Sequence, residues 1–393
     1  MRTQRLMSLL ALVLVALLFT GSPQRSTNAQ VATETPNPFL SMGDLNKQLG
    51  LLKDKPLGDE KTPWLQMFKT DQMVNTTSFK KAAPWTLCFS NASVSNNWRV
   101  SGFGVMNADV DALKKAGKVK DFIVTDAGEK ADKQISDIDD LLTRNCDLII
   151  ISPTSTEQLT PAVEKAAASG KPVVVFDRGV NTTKYTTFIH PIGGYAFGNV
   201  GADFLVKQLN GKGNILALRI LPGVDVLETR WLAAKQIFDA NKDIKVVGVE
   251  FDDNDPAKTK SIVTDYIQRV GQIDGVWMDA GEASVAVYEA FVDAGAKVPP
   301  ITSEDVNGWL KIWNDKKLNS IAPTYPSFQW RTAIAAAEMI LDGEPVPKEW
   351  ILPQPSVTND NVKDYVQKDL PDTYYVFSSG STISGYLDSL RKK

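Results

Sequence analysis

The run KPVVVFDRGV leads four apolar residues, Val173 to Phe176, directly into an adjacent acid and base, Asp177 and Arg178. Charges at the end of a buried strand must be hydrogen-bonded, because an uncompensated buried charge costs several kcal/mol. A polyol meets both needs, since each hydroxyl donates to a carboxylate and accepts from a guanidinium. Hydrogen bonds to charged groups contribute roughly 1.5–3 kcal/mol each, so a handful hold a small neutral sugar. A structural ion pair closing the strand is the alternative reading of the same two residues. Upstream, SNASVSNNWR brings Asn97, Trp98 and Arg99 together. An indole beside an Asn-rich loop can lie flat on the apolar face of a sugar ring, worth up to roughly 4–6 kcal/mol for a ring burying about 150–250 Å². Stapling a helix start to its lobe is the other role open to Trp98.

The elements that must position these residues repeat along the chain. Short apolar runs (WTLCFS, KDFIVTD, DLIIISP, PVVVFD, NILALRI, KVVGVEF, GVWMDA, PPITSED) alternate with segments of helical periodicity, such as KADKQISDIDDLLTRN, where Ile135, Ile138, Leu141 and Leu142 share a face. Glycine follows the last helical turn in AAASGKP, KQLNGKGN and VDAGAKVPP. Strand, helix, strand units with continuous apolar strands specify parallel sheets covered on both faces. The expected fold is α/β, with two doubly wound parallel-sheet lobes joined by a three-segment hinge. The Pro- and Gly-bearing segments FIHPIGG, IAPTYPS and ILPQPSV are the crossings. They divide the chain into lobe 1 (84–189 plus 325–352) and lobe 2 (190–324 plus 353–393). Residues 30–83 form an N-terminal extension with one short helix expected at MGDLNKQLGLL. In open parallel sheets ligands bind beyond the carboxyl ends of the strands, which is where the Asp177–Arg178 pair and the Trp98 loop fall.

Composition narrows the function. The first residues carry Arg2 and Arg5, an apolar run from Leu6 to Phe19, then Thr27 and Ala29. That is the layout of a secretory signal peptide over residues 1–29, a membrane anchor being the alternative, and it implies a periplasmic or extracellular protein. Losing three arginines and no acid with that segment moves the formal charge from −3 to −6, the wrong sign for nucleic acid. Cys88 and Cys146, both in or beside apolar strands, read as buried small apolar residues, with a disulfide as the alternative. The single histidine, His190, argues against His-rich metal sites and His-based triads. GFGVMN falls within a helix pattern and GKGN precedes a strand, so neither is a dinucleotide loop, and no phosphate-binding loop is present. Neither an enzyme nor a cofactor is implied.

From Pro84 to about Leu352 the chain resembles the ribose-type periplasmic sugar-binding proteins of ABC importers, especially the galactofuranose-binding relatives with a Trp-Arg pair after the first strand. The resemblance rests on FSNASVSNNWR, LIIISPTSTEQLTPAVEKAAASGKPVVVFDRGV, GNVGADFLVKQLNGKGNILALRI and DVLETRWLAAKQIFDA. It implies a monomeric binding protein that closes on a small sugar or polyol and presents it to a membrane ABC permease. A sugar sensor facing a membrane receptor uses the same core and stays open as an alternative. A related repressor would need a DNA-binding module where this chain has the signal-like segment. Carried over by motif, the ligand contacts are Trp98, Arg99, Asp177 and Arg178 from lobe 1. Lobe 2 would supply Arg230 in ETRW, Asp305 in SEDVNG and, on a looser match, Asp279. Asn254 and Thr324 fall near further contact positions. The chain departs from the family in residues 30–83 and in the lobe 2 tryptophans Trp231, Trp277, Trp309 and Trp313.

Overall fold

A computed structural model of the chain describes residues 37–378. The expected signal segment and residues 379–393 lie outside the described residues. The extension supplies α1 (Met42–Leu51), capped by the Ser41 hydroxyl, and a short strand β1 (Met73–Val74). Then the alternation begins: β2 (Trp85–Asn91), α2 (Asn97–Lys115), β3 (Val119–Asp126), α3 (Ala131–Thr143), β4 (Leu148–Ile151), α4 (Thr156–Ala168), β5 (Val173–Phe176) and β6 (Thr187–Pro191). A second series follows with α5 (Gly194–Gln208), β7 (Lys212–Arg219), α6 (Asp225–Ala240), β8 (Asp243–Phe251), α7 (Pro256–Val270), β9 (Gly275–Met278), α8 (Ser284–Asp293), β10 (Ile301–Thr302), α9 (Asn307–Lys316) and β11 (Ser320–Pro323). The chain ends with α10 (Gln329–Asp342), β12 (Val346–Pro347), β13 (Glu349–Leu352), β14 (Ser356–Thr358) and α11 (Val362–Tyr365).

Two six-stranded sheets result. The first has the order β13-β6-β5-β4-β2-β3 and is wholly parallel. The second, β14-β11-β10-β9-β7-β8, is parallel except for the antiparallel edge strand β14. Every residue of β4 and β5 is buried, which is why their sequences, LIII and VVVF, carry no alternation. The chain passes between the sheets after β6, after β11 and after β13. Thr324 lies at the second passage and donates its hydroxyl to the Pro355 carbonyl in the third (2.7 Å), so it ties two crossing segments together.

Two close helix approaches aim the site residues. A Cβ at Gly102 would sit 2.3 Å from the Trp330 ring, so glycine lets α2 lie on α10 and fixes the start of α2, which bears Trp98 and Arg99. A Cβ at Gly198 would sit 1.8 Å from the Arg230 carbonyl oxygen, so α5 and α6 pack backbone to backbone at Arg230.

The structure departs from two sequence expectations. Cys88, in β2, and Cys146, just ahead of the neighbouring β4, form a disulfide, with Cα atoms 5.7 Å apart. Their burial against Ile138, Leu159 and Val163 is as expected, but the parallel pairing of the two strands brings the thiols together. The extension is more than a short helix on a polar tether. Its Trp64 carbonyl accepts from the Thr332 hydroxyl (2.7 Å) and its Gln66 carbonyl from the Trp350 indole (2.9 Å), while β1 pairs with β12. At the same time α1 packs Leu45 against Tyr195 of α5 and Ala233 of α6, so the extension spans the hinge and holds both lobes.

Candidate functional site

A cavity of about 310 Å³ lies between the lobes, at the carboxyl ends of both sets of strands. Lobe 1 contributes the loop after β2, the loop after β3 and the end of β5. Lobe 2 contributes the segment from β7 into α6 and the ends of β8, β9 and β10. Six of the residues expected in the site line it: Trp98, Arg99, Asp177, Arg178, Arg230 and Asn254.

Asp177 and Arg178 do not work on a common partner. Asp177 has φ +71°, a left-handed backbone at the end of β5, and the two side chains take different partners. The Asp177 carboxylate accepts from the Arg99 guanidinium at 2.9 Å and from the Ser152 hydroxyl at 3.3 Å, with both charged side chains almost fully buried. Arg178 donates to Glu129 (3.0 Å) and to the Thr154 carbonyl (2.8 Å). Two arginine-carboxylate pairs therefore face the cavity side by side. Burial pulls the Arg99 guanidinium down, with Asp177 opposing. Burial pushes Glu129 up, but Arg178, Arg99 and the Ser93 hydrogen bond more than offset it and hold the carboxyl below its usual range.

Arg230 is the lobe 2 counterpart. Its guanidinium lies 3.2 Å from Glu304, donates to the Asp279 backbone carbonyl, and stacks 4.0 Å from the Phe197 ring centre. Its Nε and the side-chain oxygen of Asn254 are buried without a hydrogen-bond partner among the described residues. Groups of this kind accept and donate to a ligand at little further desolvation cost. Tyr325, on the second crossing, links the lobes: its hydroxyl donates to the Asp177 carbonyl (3.0 Å) and its ring lies 5.2 Å from the Arg230 guanidinium. Trp98 is half-buried; its indole N–H donates to the Tyr325 carbonyl (2.6 Å) and it packs against the cores of both lobes, so it is anchored at the lobe junction while lining the cavity.

Three expected site residues lie elsewhere. The Asp279 carboxyl accepts from the Ile220 amide (2.8 Å), off the cavity wall, and burial pushes it up to about 8 despite Arg230 and Arg219. Asp305 accepts from the Phe377 amide (2.8 Å), and burial pushes it up to about 7. Successive residues at a strand end point to opposite faces, so Glu304 and Ala280, their neighbours, face the cavity instead. Burial pushes Glu304 up to about 6. Asn97 gives its backbone and side-chain N–H groups to Glu282 of lobe 2 (2.8 and 3.2 Å), a carboxylate seated on the N-terminus of α2. Glu129, Glu282, Glu304 and Tyr325 were not singled out from sequence, although TDAGEK, DAGEAS, SEDVNG and IAPTYPS each displayed them at a strand end or crossing. The tryptophans peculiar to lobe 2 do not reach the cavity. Trp277, Trp309 and Trp313 are buried in its core, and Trp231 packs on Trp277.

Residues 87–345 match the model of a periplasmic binding protein domain. The chain belongs to that family. This periplasmic binding protein is 28% identical over 238 residues to the ribose import binding protein of Bacillus subtilis (strain 168), covering 61% of this chain and 76% of that one. It is 24% identical over 255 residues to a xylitol-binding protein of Mycolicibacterium smegmatis, covering 64% and 72%. A galactofuranose binding protein of known structure superposes with a TM-score of 0.62 at 22% identity, over 72% of this periplasmic binding protein and 97% of the other. At that identity the likeness shows the fold. The curated relatives are import and binding proteins rather than enzymes, the class expected from the sequence.

Proposed function

We propose that the chain is an exported solute-binding protein of an ABC importer, which takes a small neutral sugar or polyol between its lobes and presents the closed form to a membrane permease. The observation that carries this reading is the pairing inside the cavity. Arg99, Arg178 and Arg230 are each matched by a carboxylate, so the wall offers alternating donors and acceptors with little net charge. Hydroxyls fit such a wall, whereas an ion would meet one member of each pair repulsively. The two lobes are the units that move, and contacts made to both at once shift the population toward closure. Ribose and xylitol named for the relatives support a neutral polyhydroxylated ligand. The disulfide fits an oxidising compartment outside the cytoplasm.

A thermal-shift panel of pentoses, hexoses and small polyols against amino acids and peptides tests the class. Ligand at about 100 times its Kd adds about 2.7 kcal/mol to stability, so at least one neutral sugar or polyol should raise the unfolding midpoint by several degrees. A shift with amino acids or peptides alone contradicts the proposal.

A further inference from the structure

One stretch of the cavity wall is aliphatic, and sugar binding in general does not explain it. Lobe 1 presents the charge pairs described above. Lobe 2 adds the Arg230–Glu304 pair, Glu282 and Asn254, and beside them it sets an aliphatic stretch: Ile220, Leu221 and Val224 from the segment joining β7 to α6, then Val226 and Leu227 from the first turn of α6. Leu227 is buried, but Leu221 is 44% exposed and Val224 and Val226 are only partly buried. Their side chains are therefore not filling the lobe 2 core. Asp225, between the two valines, is exposed, and Glu228, one turn on, turns back to bind Arg219 at 3.0 Å and the Gly223 amide at 2.7 Å. Inside the cavity the segment presents its aliphatic groups, while Asp225 lines an adjoining cleft that shares Val224, Val226 and Arg178 with it.

We infer that the ligand is a sugar with one apolar edge, a deoxy or O-methylated carbohydrate, whose hydroxyls face Arg99, Asp177 and Arg178 while its methyl or methylene group lies on the Val224–Val226 wall. This rests on the sugar-binding reading proposed above and narrows it. A fully hydroxylated ring has hydroxyls around its whole rim, and any turned to the aliphatic stretch, away from Arg230, Glu304 and Asn254, would lose water without gaining a partner there. Replacing such a hydroxyl by hydrogen or by a methyl ether removes that loss and buries apolar surface. An aliphatic wall discriminates against an added hydroxyl by about 10- to 100-fold, not more, so fully hydroxylated parents should bind weakly rather than not at all.

The test is calorimetry on the full chain with matched sets: a hexose, its 6-deoxy analogue and its methyl glycoside, repeated for several hexose stereochemistries. The expected result is that, in at least one set, the deoxy or methylated member binds at least tenfold tighter than its parent. The double variant Val224→Ser with Val226→Ser should reduce that ratio to below threefold. Val224 is the N-cap of α6, a position where serine is a favoured residue, so Val224→Ser alone keeps the helix and serves as the second variant, with an intermediate ratio expected. Parents that bind as tightly as their deoxy and methylated partners in every set, or a preference unchanged in both variants, overturn the inference and leave sugar binding intact. Binding of no member of any set overturns both.

Discussion

Among the buried acids of lobe 2, Asp279, Glu304 and Asp305 are held as carboxyls that resist ionisation, at about 8, 6 and 7. A folded-state value raised above the unfolded one means that the folded chain holds the extra proton. Stability from these groups is therefore complete below about pH 4 and is lost as pH rises through 6 to 8. The thermal midpoint of the ligand-free protein should fall over that window. Asp305→Asn keeps an oxygen for the Phe377 amide and imitates the protonated group, so it should flatten the fall; an unchanged slope would remove Asp305 as a cause. With its carboxylate 2.9 Å from the buried Arg99 guanidinium, Asp177→Ala strands a charge. It should cost about 3–5 kcal/mol of stability and at least tenfold in sugar affinity, read by urea denaturation and calorimetry. A stability loss below about 1 kcal/mol would contradict the pairing.

These same residues show how far sequence reached. The placement of the Asp177–Arg178 pair at the cavity was legible because strand ends in a parallel sheet converge. Its partners were not, because Arg99 and Glu129 come from other strand ends and the left-handed turn at Asp177 is invisible in the letters. The cavity wall carries Glu304 where Asp305 was expected, a one-residue step along a strand and enough to reverse the face.

At the scale of elements, the strand and helix alternation was readable because buried parallel strands and amphipathic helices leave strong patterns. The packing of the extension was not, since its contacts are single residues without periodicity: Leu45 on α5, Phe68 among Ile192, Ala196 and Ile351, Trp64 beside α10. Leu45→Ala should destabilise by about 2 kcal/mol or more if α1 is integral to the fold; a loss under about 0.5 kcal/mol would make α1 an appendage. The disulfide closes a span of 58 residues between β2 and β4. Its reduction should lower stability by about 2–5 kcal/mol, measured as a drop in melting midpoint with added reductant, and an unchanged midpoint would contradict a structural role.

For the whole molecule, the lobes touch at several separate points around the cavity: Glu282 on the start of α2, Tyr325 between Asp177 and Arg230, and the Tyr375 amide donating to the Ser101 hydroxyl (3.2 Å). Under the proposed closure these contacts form as the lobes approach, so a ligand held by both lobes should reduce the radius of gyration in solution scattering. No change on saturation would contradict hinge closure. The central claim, that charge pairs from the two lobes hold a neutral polyhydroxylated ligand, is tested most directly by calorimetric titration of the full chain with sugars and polyols. The account predicts one site per chain for at least one of them, with affinity reduced at least tenfold in Arg230→Ala. Absence of binding across the panel, or binding indifferent to Arg230, would contradict it.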